Sequence, residues 1–401
     1  MKRFYIFFVV FFAAIGFVSI PPAVGSERLI DILREKGVIT GKEAMELRGE
    51  IEEKTGGGLL SLRNGKVKIG GELELEFIKS ENNSSSGNNP HARFSIDKVV
   101  LSPQVYFTDS ITFRADIEAE PSEIKVDEAW IEFKDLPYHT FVKVGLEDIF
   151  IKPHRKTEDY PINGYAFFQD EDLGIFAGGD YEKWYWRASI TNGRRLANRR
   201  IQEDNVYPII HEDDDNIEQN HNKEIGIGVG LRHHFKEGHE IDLLPFYYKG
   251  ELSGSVANYD ISLLKQITTY GSSNDDTKER YGINVEYILK DFTFFAQYIK
   301  ATDGTMKRTG WYLQPSYKVR IKDRKTFNAV EFVFRYDDYD VDLTRDPSDS
   351  RTWDRQKVVL AAITDVAKNL KIKTEYYFNE ESTGGGDVDN NELLVQFEAK
   401  F

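Results

Sequence analysis

From Lys66 to the end of the chain, apolar and polar residues repeatedly alternate with a period of two. Val67, Ile69, Leu73, Leu75 and Phe77 interleave with Lys68, Glu72, Glu74 and Glu76, and Ile111, Phe113, Ala115 and Ile117 with Thr112, Arg114, Asp116 and Glu118. Ile225, Ile227, Val229 and Leu231 alternate with Gly226, Gly228, Gly230 and Arg232; Tyr281, Ile283, Val285 and Tyr287 alternate with Arg280, Gly282, Asn284 and Glu286. Successive side chains of a strand point to opposite faces, so each stretch predicts a strand with one apolar and one polar face. The last stretch, Asn391 to Phe401, obeys the same rule. Leu393, Val395, Phe397, Ala399 and Phe401 share one face and Glu392, Gln396, Glu398 and Lys400 the other, with Leu394 as an apolar intruder.

The connections alternate in length. Short turns are expected near Thr108 to Ser110, Lys134 to His139, Asp180 to Lys183, Lys236 to His239, Leu289 to Asp291, Ile321 to Lys325 and Ala367 to Asn369. Between them fall longer loops: Ser80 to Pro90, Lys152 to Asp170, Gly193 to Lys223, Lys249 to Lys278, Ala301 to Arg308, Asp338 to Thr352 and Asn379 to Asn390, with Glu120 to Glu123 brief. This predicts an all-β fold, a transmembrane antiparallel β-barrel of about 16 strands, an even number that closes with both ends on one side. A soluble sandwich would need its apolar faces covered, and no helical pattern follows Gly58 to do so. Tyr247, Tyr248, Tyr298, Tyr376, Tyr377 and Phe378, near strand ends, fit an interfacial aromatic girdle.

Ahead of the barrel the period is helical: Leu29, Ile32 and Leu33, then Ala44, Leu47 and Ile51, with Thr40 and Glu43 as a capping box and Gly37 as a stop. Residues 26–58 therefore read as a short periplasmic helical segment ending in the Gly56-Gly57-Gly58 linker, too short to be stable alone. Residues 1–25 carry Lys2 and Arg3, an uncharged run from Phe4 to Ile20, and Ala23-Val24-Gly25 before a cut near Ser26, the parts of a secretory signal peptide. The barrel is expected over residues 59–401.

Composition sharpens this picture. The 401 residues include 21 Tyr and 27 Phe, which need a large core or a lipid-facing surface to cover them. A mean hydropathy of -0.49 opposes a helical membrane protein but suits a barrel with polar lumen and loops. The chain has no Cys, so nothing depends on disulfide chemistry outside the cytoplasm, and its formal charge of -15 argues against nucleic acid as a partner.

An amphipathic last strand ending on Phe401 resembles the closing strand of bacterial outer-membrane barrels, which implies recognition by the outer-membrane assembly machinery. A more specific resemblance lies between Phe141 and Gly193. Phe141 to Gly145 reads aromatic-x-x-x-Gly before the third long loop, Asp172-Leu173-Gly174 opens the following strand, and Asn192-Gly193 closes the next. With Glu35 to Thr40 in the helical segment, this order is similar to the phosphate-selective porin O and P family. The resemblance implies a homotrimer in outer-membrane lipid and lipopolysaccharide, an inward third loop, and a ladder of cations that draws anions such as phosphate through. It implies no cofactor.

The candidate pore-lining residues follow. The third loop opens Lys152-Pro153-His154-Arg155-Lys156, giving Lys152, Arg155 and Lys156; the next long loop begins Arg194-Arg195 and continues Arg199-Arg200. Alternation turns Arg114, Lys143 and Arg187 inward, with Arg93, Lys371 and Lys373, but also Asp116, Glu118, Glu147, Glu286 and Glu375. An anion filter needs uncompensated positive charge at the constriction, whereas paired Arg and Glu only brace a wall. Glu212-Asp213-Asp214-Asp215 reads as a solvated loop without metal-ligand spacing. None of the eight His belongs to a catalytic motif. The expected function is an outer-membrane porin for small hydrophilic solutes, with anion or phosphate selectivity open. The alternatives are a non-conducting structural or adhesive barrel and an outer-membrane enzyme.

Overall fold

A computed structural model of the chain describes residues 60–62, 66–81, 91–121, 123–168, 171–200, 208–213, 223–235, 238–253, 260–267, 275–321, 326–342, 354–381 and 390–401. The expected signal peptide and helical segment lie outside the described residues. The strands are Leu60–Leu62 (β1), Val67–Ser80 (β2), His91–Thr108 (β3), Ile111–Ala119 (β4), Ile124–Leu136 (β5), Thr140–Glu147 (β6), Asp172–Asp180 (β7), Trp184–Thr191 (β8), Arg195–Arg200 (β9) and Pro208–Asp213 (β10). They continue as Glu224–Phe235 (β11), His239–Glu251 (β12), Thr277–Leu289 (β13), Phe292–Asp303 (β14), Met306–Arg320 (β15), Ala329–Asp342 (β16), Arg355–Ala367 (β17), Leu370–Glu381 (β18) and Glu392–Lys400 (β19).

Sixteen of these, β2–β8 and β11–β19, form one closed antiparallel barrel. Each pairs with its neighbour in the wall, β8 pairs with β11, and β19 returns to β2 in a register running from Glu392↔Ser80 to Lys400↔Glu72. Phe401 completes the seam through two backbone hydrogen bonds of 2.9 Å with Gly71. Its ring lies where a Cβ on Gly71 would stand, 2.6 Å away, so glycine is needed there. β1 runs beside β2 beyond the end of β19, while β9 and β10 form a separate hairpin.

The alternation sorts the faces as expected. Ile225, Ile227, Val229, Leu231, Phe332, Phe334, Leu360 and Phe397 are exposed on the outside, and Phe94 is 84% exposed. A soluble monomer does not expose so broad an apolar surface, and in water it would aggregate; a bilayer covers it. Period two also splits the predicted girdle: Tyr247 and Tyr298 are exposed on the outer face, whereas Tyr248 and Tyr377, one residue over from Tyr247 and Tyr376, point inward and are buried.

One of the expected long loops is a tight turn. Ala301 to Arg308 is no long loop: β14 and β15 run up to a two-residue turn at Gly304 and Thr305, with Gly304 at φ 57. Asp303 and Arg308, within that stretch, pair at 2.7 Å on the inner wall.

The long connections do not all stay outside. The third loop, residues 148–171, carries the helix Ile162–Phe167 (α1), and the connection after β12 carries Asp260–Ile267 (α2). Together with β9 and β10 they fill part of the lumen with a buried apolar cluster that includes Ile149, Ile151, Phe167, Leu196, Ile210 and Leu264 against Phe246, Ile299 and Tyr339 of the wall. Gly310 makes room for this filling: a Cβ there would come within 2.1 Å of Asn163 Oδ1 and 2.9 Å of Phe167 on α1.

Candidate pore and constriction

The third loop is held across the lumen by the inner faces of β13 to β18. Arg335 donates to the backbone oxygens of Asp159 at 2.7 Å and Tyr160 at 3.1 Å, and to Thr157. Lys357 pairs with Asp159 at 2.6 Å and Lys373 with Glu158 at 2.7 Å. The last carbonyls of α1, which have no partner within a helix, accept from the wall: Ala166 O from Arg308 and Phe167 O from Arg280, each at 2.7 Å. Asn163 donates to Gln297 at 3.0 Å. Burial alone would raise the Glu158 carboxyl, but Arg155 and Lys373 outweigh it and hold it at about 2. Asp159 is likewise lowered, burial being overcome chiefly by Lys357.

This arrangement leaves space on both sides of the third loop: a cavity of about 200 Å³ lies against β8 and β11 to β15, past Phe150, His154 and Arg187. Along the wall of β2 to β5 lie two adjoining cavities of about 330 and 210 Å³ that share Lys98, Glu118 and Asp127. One reaches the short-turn end past Arg114, Asp116 and Lys371; the other faces the loop at Lys152, Arg155, Glu158 and Tyr160. Two β-bulges shape the wall of this slot. Glu74 faces both Asp97 and Lys98, because the β2–β3 register slips between Leu73↔Val99 and Leu75↔Ile96. On β5 the register slips between Asp116↔Glu128 and Ile117↔Val126, inserting Asp127. Each bulge turns one additional charged residue toward the slot, as extra residues in strands do at functional rims.

The predicted residues fall into three groups. Lys152, Arg155 and Arg114 line the slot. None is uncompensated: Lys152 pairs with Asp148 and, at 3.3 Å, with Glu171; Arg155 lies 3.5 Å from Glu158 and 4.0 Å from the Tyr160 ring centre; Arg114 pairs with Asp116 at 2.9 Å. Burial acts to lower the Lys152 and Arg155 pKa values, yet Asp148 and Glu158 respectively hold both cations firmly charged. Lys143, Arg187 and Lys156 face the interior away from these two cavities, paired with Glu147 at 2.8 Å, Asp180 at 2.9 Å and Glu331 at 2.8 Å. Arg194 and Arg195 are buried near the loop filling, and the backbone oxygen of Arg194 accepts from Lys278.

Glu212 departs from the solvated loop expected of its acidic run. It is completely buried, with Lys278 and Arg308 each at 2.5 Å, because β10 carries it into the lumen beside inward cations of β13 and β15. Arg280, Arg308, Arg335 and Lys357 were not singled out beforehand. Their signal in the sequence is their place on the polar side of the alternation in β13, β15, β16 and β17. Among the described residues, Glu74, Asp97 and Glu158 bring carboxylate oxygens within 4.8 Å of one another, but Lys98, Arg155 and Lys373 already stand against them.

A closed sixteen-stranded barrel, apolar outside and charged inside, with a loop folded across its lumen, has the fold of the outer-membrane porins. Solved structures bear this out at 9–11% identity. Pseudomonas putida OprB matches with TM-score 0.58 over 88% of this chain and 96% of its own, at 9% identity. Vibrio cholerae OmpT matches at 0.53 over 85% and 100%, with 11% identity, and Salmonella typhi OmpF at 0.53 over 85% and 100%, with 10% identity. No family model matches the chain, and no curated protein matches it.

Proposed function

We propose that this protein is an outer-membrane porin through which small hydrophilic solutes diffuse passively, exported by its signal peptide and assembled through the closing strand that ends on Phe401. The observation that carries this reading is the charged slot between the third loop and the β2–β5 wall of a barrel whose outside is apolar. A homotrimer and membership of the phosphate-selective family remain what the sequence motifs imply. The slot lends no weight to strong anion selectivity, since nine cations and nine carboxylates line its two cavities.

The apolar packing that fills part of the lumen favours a second reading, a sealed structural or adhesive barrel. Reconstitution in a planar bilayer separates the two. Stepwise current increments support the porin, and a protein that inserts yet stays silent supports the sealed barrel.

A further inference from the structure

In the two cavities that flank the third loop, every Lys and Arg of the lining has a carboxylate partner, but one carboxylate in each has no Lys or Arg. On the β2–β5 side Lys125 pairs with Glu118 at 3.1 Å and Glu120 at 3.0 Å, and Lys98 with Glu74 at 3.6 Å. Lys152 pairs with Glu171 at 3.3 Å and Arg155 with Glu158 at 3.5 Å. Asp97 lies within 4.8 Å of Glu74 and Glu158 and shares their cations. Asp127 lines the same cavity, half-buried, and among the described residues no cation pairs with it. Its isolation follows from the bulge. As the residue inserted on β5 it has no register partner on β4, and pairing with β6 begins only at Ala129↔Leu146.

On the other side of the loop the same holds for Glu286. Its register partners are Asp242 and Phe295, neither of them a cation. Arg232 pairs with Asp242 at 3.2 Å and Arg187 with Asp180 at 2.9 Å, which leaves Glu286 only the His154 imidazole at 3.9 Å. A matched ion pair presents little net field to a passing ion, whereas a half-buried single charge between low-dielectric walls concentrates ions of the opposite sign. Lys68 and Lys368 also lack a carboxylate, but they line the short-turn mouth of the larger cavity, where water and salt screen them. We infer that the pore prefers small cations to anions, and that Asp127 on one side of the third loop and Glu286 on the other set this preference. The inference rests on the porin reading and deepens it.

The test is the reversal potential of the reconstituted protein across a potassium chloride gradient. Potassium is expected to pass about threefold more readily than chloride, the size of effect that partly screened charges support. Asp127→Asn and Glu286→Gln each lower the ratio, and together they bring it to one. Asp127→Glu keeps the charge and holds the wild-type ratio. Asp109→Asn, at an exposed turn, leaves the ratio unchanged, which tells a local origin apart from the net charge of -15. A wild type that is indifferent or prefers chloride, or a potassium preference that survives the double change, overturns the inference while leaving the porin reading standing. If the protein inserts and carries no current, passive diffusion itself fails and the inference fails with it.

Discussion

Lys373 lies 2.7 Å from Glu158 across 215 residues of chain, an ion pair that ties the third loop to the strand beside the closing strand, where Glu375 and Tyr377 also accept from the backbone N–H groups of Glu158 and Asp159. Glu158 also accepts the charge of Arg155 from within the loop, at 3.5 Å. The loop is therefore fixed by the wall and at the same time aims one of its own cations at the slot.

Removing that tie should loosen the constriction. Lys373→Gln leaves Glu158 with Arg155 but without its wall partner, the loss of a charged hydrogen bond, which costs about 1.5–3 kcal/mol. Single-channel recordings should show larger and noisier conductance than the wild type, and Lys357→Gln should do the same through Asp159.

Acid should act through the same carboxylates. The folded pKa of Glu158, about 2, lies below its ordinary value of 4.5. The ion pair therefore stabilises the docked loop fully above about pH 4.5, and this stabilisation is lost as pH falls from there toward 2. The share of the conductance that depends on this pair, read as the difference between wild type and Lys373→Gln, should be level above about pH 4.5 and shrink progressively below it. In Lys373→Gln the Glu158 carboxyl should titrate at higher pH, because only Arg155 of the two cations that lower it remains.

Gly310→Leu tests how the loop docks. A side chain there collides with Asn163 and Phe167, so α1 must move off the wall. Overpacking of this kind costs about 1–3 kcal/mol. A higher conductance, with the barrel retained in circular dichroism, is the expected result.

Glu212→Gln separates a buried ion from a solvated one. With Lys278 and Arg308 each at 2.5 Å, the change should destabilise the β9–β10 hairpin by about 3–5 kcal/mol. Hydrogen exchange at Ile209 and Ile210 should rise well above wild type. A residue in a solvated loop would change it by about 0.5 kcal/mol or less.

The barrel was legible because period two is local: Ile225 to Leu231 declares its outer face without knowledge of any partner strand. The inward positions of Arg114, Lys143, Arg187 and Lys373 came from the same rule. The bulges at Asp97 and Asp127 were not legible, since one inserted residue changes a register without changing composition. Nor were the roles of Arg280 and Arg308, which act on loop carbonyls 113 and 142 residues away. Glu212 misled for a related reason. Acidic residues beside a turn look solvated until the cations that bury them are found on other strands.

The central claim is that solutes pass between the third loop and the β2–β5 wall. The chain has no Cys, so a single engineered thiol reports on one position. The most direct measurement is the single-channel current of Asp127→Cys before and after a bulky thiol-reactive reagent, beside Ile131→Cys on the exposed outer face of the same strand. The account predicts a stepwise drop in current for the first and none for the second. A channel whose current ignores modification at residue 127 would contradict it.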